Sequence, residues 1–210
     1  MKRYNYLLLK QFTESLRLSD LMKSASMSDF TKKFSKETNK LMGNATNRAK
    51  LTQMKVNKAE DTVTFIWLTE RTPKYKDNFH TMVSNPDKDF ALQQDNLYEI
   101  DIKFLDFFKL LDTRPDENEV TNKDIEDVLN VCDIQIWSDV PSFHWQGANY
   151  NLSMFDASIH PTTIAPKYWD KFHNENQLLD KHSASIINSI KFWIPQMRMS
   201  IKKYMGLTKK

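Results

Sequence analysis

Residues 131–147 read VCDIQIWSDVPSFHWQG. Cys132 to Trp137 has the apolar and β-branched density of a strand, and Pro141-Ser142-Phe143 is the turn that ends it. Thr121 with Asp124 three residues later forms a capping-box pattern, so a short helix with Ile125, Val128 and Leu129 as its apolar face should precede that strand. Thirty-five residues after Gly147 stands Lys181-His182, at the head of a second helical pattern. There Leu178, His182, Ile186 and Ile190 recur at i+4 spacing, with Trp193 nearby. The two segments read as halves of one small module.

Working outward, Leu97 to Phe104 alternates strictly. Tyr98, Ile100, Ile102 and Phe104 share one face, and Glu99, Asp101 and Lys103 share the other. Thr62 to Leu68 is a second strand by its aromatic and β-branched content. Phe79 to Val83 reads as another, and Asn85-Pro86-Asp87 as a turn. Leu105 to Leu111 extends the third strand or begins a helix, and periodicity cannot decide. Residues 4–22 carry a helical stripe of Tyr4, Leu8, Phe12 and Leu16. Ser28-Asp29 marks the cap of a weaker helix through Phe34, and residues 35–60 are polar and without period. Pro195 is expected to end or kink the last helix. The resulting expectation is an α+β fold: a basic helical arm over 1–60, a core over 61–194 with a small mixed or antiparallel sheet, a long aromatic loop and a C-terminal helix, and a basic tail over 195–210.

Composition excludes several function classes. Three widely separated glycines, Gly43, Gly147 and Gly206, leave no glycine-rich phosphate loop. One cysteine, Cys132, allows neither an intrachain disulfide nor a multi-cysteine zinc site. Leu7-Leu8-Leu9 is too short for a secretory signal, and no apolar run approaches the ~18 residues of a membrane span, so no membrane partner is expected.

The net charge of +3 conceals a marked segregation. Residues 1–60 hold 13 basic and 5 acidic side chains, residues 61–140 hold 8 and 18, and residues 141–210 hold 9 and 4. Basic ends around an acidic middle suit contacts between copies of the chain. They equally suit arms lying on nucleic acid, or faces that are only solvated.

Three chemical constellations stand out. Pro86-Asp87 followed by Asp101-Ile102-Lys103 resembles the core of the PD-(D/E)xK nucleases, in which two carboxylates hold Mg²⁺ and a lysine orients water. A half-exposed strand in an acidic region produces the same D-x-K without any catalysis. The five histidines, His80, His144, His160, His173 and His182, show no pair at helical ligand spacing. His182 falls within an apolar stripe, as a hydrogen-bonded core histidine would. No serine sits in G-x-S-x-G, and Cys132 reads as a strand core residue. The aromatics of 143–172 lie where basic side chains are few, which favours burial over base stacking.

Residues 63–190 as a whole resemble a group of tailed-phage virion proteins. The similarity rests on Thr72-Pro73-Lys74-Tyr75, on Ser138 to Gly147 (SDVPSFHWQG), and on Asp180-Lys181-His182. In that pattern C-x-C-P-x-F and a later C-K-H are spaced much as in the SWIM zinc finger. Here the three cysteine positions are Ser138, Val140 and Asp180, and His182 alone remains of the would-be ligands. Val140 cannot ligate, so the resemblance implies a module without zinc or other cofactor. Trp137, Pro141, Phe143, Trp145, His182 and Ile186 would then join strand to helix by packing. The implied function is that of a virion structural protein, in the neck or head–tail connector. It would act by homo-oligomeric assembly with portal, capsid or tail subunits, and its basic arms could touch genomic DNA. The alternatives are the Mg²⁺-dependent nuclease built on Asp87, Asp101 and Lys103, and a DNA-binding accessory protein.

Overall fold

A computed structural model describes residues 15–27, 49–70, 97–112, 119–145, 147–163 and 178–207. Its centre is a four-stranded antiparallel sheet in the order β1-β2-β3-β4. The strands are β1 (Ala49–Asn57), β2 (Thr62–Glu70), β3 (Leu97–Phe104) and β4 (Ile134–Ser138). The helices are α1 (Leu18–Met27), α2 (Phe107–Asp112), α3 (Asn122–Val131), α4 (Pro141–Trp145), α5 (Ala148–Ser153), α6 (Lys181–Ser189) and α7 (Ile194–Tyr204). A 3-10 turn, Ile190–Trp193, joins the last two. The expected α+β class is what forms.

Register explains the two faces of the sheet. Phe65 pairs with Ile102 and Ile102 with Ile136, while Val63 pairs with Phe104 and Phe104 with Ile134. Because side chains alternate, these residues all fall on one face. All six are buried. Helices cover that face, with Ile125, Val128 and Leu129 of α3, Ile186, Ile187 and Ile190 around α6, and Met197 and Ile201 of α7 in the same core. Each fully buried side chain of this kind contributes about 1.5–3 kcal/mol relative to exposure.

Local signals set the element ends. Thr121 and Asp124 make the reciprocal capping box, Thr121 Oγ accepting the Asp124 N–H and Asp124 the Thr121 N–H. Gly206, at φ +74°, closes α7 with paired bonds from Gly206 N–H to Lys203 O and from Leu207 N–H to Lys202 O. That is a Schellman ending, and it needs the left-handed conformation glycine adopts without strain.

Three features depart from the reading of the sequence, and two others agree with it or decide between its alternatives. The helix expected over 4–22 is broken at residues 15–17, and α1 begins at Leu18, because Leu16 O accepts Ile134 N–H and Arg17 bridges Asp133; residues 4–14 lie outside the described residues. Residues 49–57, assigned to the arm, form the edge strand of the sheet, so the boundary at residue 60 falls inside the β1–β2 hairpin. Leu16, Leu18 and Leu21 are likewise core residues. As expected, the helical run is interrupted just before Pro195: α6 ends at Ser189, the 3-10 turn Ile190–Trp193 follows, and Pro195 stands in the first turn of α7, where a backbone N–H has no intrahelical acceptor, so a new helix runs on to Tyr204. The expected tail over 195–210 is therefore largely a packed helix. Leu105 to Leu111 resolves into a bend followed by α2. The Ser28-Asp29 cap and the Phe79–Val83 strand lie outside the described residues.

Candidate functional site

Of the two segments 138–147 and 180–182, Ser138, Val140, Phe143, Asp180 and His182 are buried. Ser138 ends β4 fully buried, and its Oγ accepts the Val140 N–H at 3.2 Å. Val140 and Phe143 pack into the common core, with Ile186 of α6 in the same cluster. Asp180, also fully buried, caps α6: Oδ1 accepts the N–H groups of His182 at 2.7 Å and Ser183 at 3.2 Å, and Oδ2 accepts Ser183 Oγ–H at 2.8 Å. The residue standing where the resemblance has its third cysteine is thus a helix cap. His182 is buried against β2 and β3, its ring 5.1 Å from that of Tyr98 and its Nδ1 3.4 Å from Thr69 Oγ1. Asp180 is thus engaged in capping, and His182 in packing against β2 and β3.

Not every residue expected at this junction is in it. Pro141 starts α4 and is exposed. Trp145 closes α4, and its side chain is outside the described set. Trp137 turns to the opposite face, half-buried, with its ring 5.6 Å from His160 and at right angles to it. Alternation dictates this: Ile136 and Ser138 face the helices, so Trp137 cannot.

The other face carries Asp101 and Lys103, as the alternation of β3 requires, but their charged ends serve different neighbours. Lys103 Nζ pairs with Glu60 across the β1–β2 turn at 3.2 Å. Asp101 lies opposite Trp137 and Ile66, and its Oδ1 is buried with no hydrogen-bond partner among the described residues. Burial, then the Glu99 and Asp139 carboxylates, push its pKa up to about 6 against the pull of Lys55. The cation acting on Asp101 is Lys55, a residue the D-x-K pattern does not contain. Asp87 lies outside the described residues, as do His80 and His173. His144 is exposed beside Phe143. Among the described residues no three His, Cys, Asp or Glu side chains group as metal ligands.

Cys132 is buried, and desolvation followed by the Asp133 charge pushes its thiol up to about 12. A thiol so far from ionisation is a core side chain, not a nucleophile.

One surface was not legible in the sequence. In the last helical run Ile194, Met197 and Ile201 face inward, while Phe192, Pro195, Met199 and Lys203 are exposed. Phe192 is 71% exposed and Met199 53%. Their spacing of three to four residues could have revealed the stripe. Pro195, expected to interrupt the helix, hid it. No described helix is long and apolar enough to cross a membrane. Set against protein-family models, curated proteins and solved structures, the chain matches none.

Proposed function

We propose that this chain is a structural protein of a tailed-phage particle, in the neck or head–tail connector, and that it works by assembling with copies of itself and with neighbouring virion subunits. The observation that carries the reading is that both segments of the resemblance contribute buried side chains to the one core. Val140 and Phe143 after β4, and Ile186 in α6, belong to the same hydrophobic core, and Asp180 caps α6, an arrangement compatible with a module that needs no metal. The charge distribution supports the assembly part. The C-terminal helical run from Lys191 onward contains no acidic residue, whereas residues 61–140 carry 18. Surfaces of opposite sign steer copies together and fix their register.

In the nuclease alternative Lys103 is paired with Glu60 at 3.2 Å, and Asp87 lies outside the described residues. Immunogold labelling of purified particles with an antibody to the chain tests the location. Gold confined to the head–tail junction is the expected result. Unlabelled particles, or label spread over the head, would remove the neck assignment.

A further inference from the structure

We propose that the exposed stripe Phe192–Pro195–Met199–Lys203 is a self-association surface, and that it docks by a two-fold contact onto the acidic α2–α3 surface of a second copy. The inference rests on the assembly reading above and names the surface that assembly would use. Large side chains as exposed as Phe192 and Met199 mark an interaction site when they lie together and are ringed by charge. The charges of the helical run itself have one sign. Lys191, Arg198, Lys202 and Lys203 belong to this run, and no acid follows Lys191 in the chain.

The matching surface lies beside it. Lys191 Nζ pairs with Glu126 of α3 at 2.6 Å, and the ring of Phe108 in α2 packs 5.3 Å from that of Tyr204 in α7. Asp112 at the end of α2 and Glu119 before α3 are exposed, as are Lys109 and Lys123, and with the half-buried Asp124, Glu126 and Asp127 of α3 the surface is acidic on balance. A basic apolar stripe and an acidic surface thus sit side by side on one helical layer. When complementary patches adjoin on a single face, a two-fold axis brings each onto its counterpart twice. A head-to-tail contact would need the patches on opposite sides. Nucleic acid would be met by a row of cations; here the centre is apolar and the cations flank it.

Sedimentation equilibrium of the full-length chain at low and moderate salt tests this. The wild type should form a dimer whose affinity falls with salt, since rim charges are screened. Phe192→Ser with Met199→Ser should weaken it roughly thirty-fold or more, the effect of removing anchors from an interface centre. Lys202→Glu with Lys203→Glu should weaken it too, and adding Asp112→Lys and Glu119→Lys should restore it. All of these positions but the half-buried Lys202 are exposed, so unchanged circular dichroism and melting will show the fold intact. A wild type monomeric at all concentrations, binding of duplex DNA by that monomer, or variants that associate like the wild type would each overturn the inference. Normal copy numbers of the Phe192 variant in particles would then leave the virion reading standing. Absence of the wild-type chain from particles would sink that reading instead.

Discussion

Asp61 and Lys109 are 48 residues apart, yet the Asp61 carboxylate accepts the Lys109 N–H at 3.0 Å. Its other oxygen accepts Phe108 N–H at 3.2 Å, and its main-chain oxygen accepts Phe107 N–H. The last residue of the β1–β2 turn therefore caps α2, and the hairpin is fastened to the helix layer through one side chain. Asp61 does this from φ 52°, a left-handed conformation that aspartate tolerates better than most residues.

Asp61→Ala removes the cap and leaves a β-carbon in a strained conformation without compensation. It should cost about 1–3 kcal/mol. Asp61→Asn, which keeps an acceptor and tolerates the same φ, should cost less than half of that. Urea unfolding of both variants checks the order.

Asp180 is the buried counterpart. Asp180→Ala strands the His182 and Ser183 N–H groups and the Ser183 hydroxyl away from water, so a loss of about 2–4 kcal/mol is expected. Melting temperature, read beside that of the Asp61 variant, should show the larger drop here.

Asp101 gives stability a pH dependence of defined sign. Its folded pKa of about 6 lies above the ordinary aspartate value of 3.8, so between these the folded state binds more protons than the unfolded one. Stability from this group therefore falls as pH rises from about 4 to about 6. Discounted for its partial exposure, the effect is about 1 kcal/mol. Asp101→Asn should flatten the dependence and raise the urea midpoint at neutral pH.

Phe143 and Trp137 separate the two faces of β4 and its continuation. Phe143→Ala opens a cavity in the core and should cost about 3–5 kcal/mol. Trp137→Ala lies on the other face and should cost clearly less. Equal losses would mean that Trp137 belongs to the core after all.

What could be read in the chain was local and periodic. The Thr121–Asp124 box, the alternation of β3 and the buried place of His182 in the α6 stripe all follow from spacings of two to four residues. What could not be read depends on distant partners. β1 hid because the register slips between Leu51 and Gln53; Thr52 Oγ donates to Ile66 O, and Gln196 Nε2 reaches back to Leu51 O. An edge strand with few buried positions has no clean alternation to show. The cap that Asp61 gives to α2 has no local signature at all. Trp137 was misplaced for another reason: aromatic size suggested the core, whereas its register position put it outside.

Quantitative mass spectrometry of purified particles, counting copies of this chain against the portal subunit, tests the central claim most directly. A small fixed number of copies per particle is the predicted result, and an even number would agree with the two-fold contact. Particles that contain none of it would contradict the account, and the surfaces described here would then have to serve another purpose.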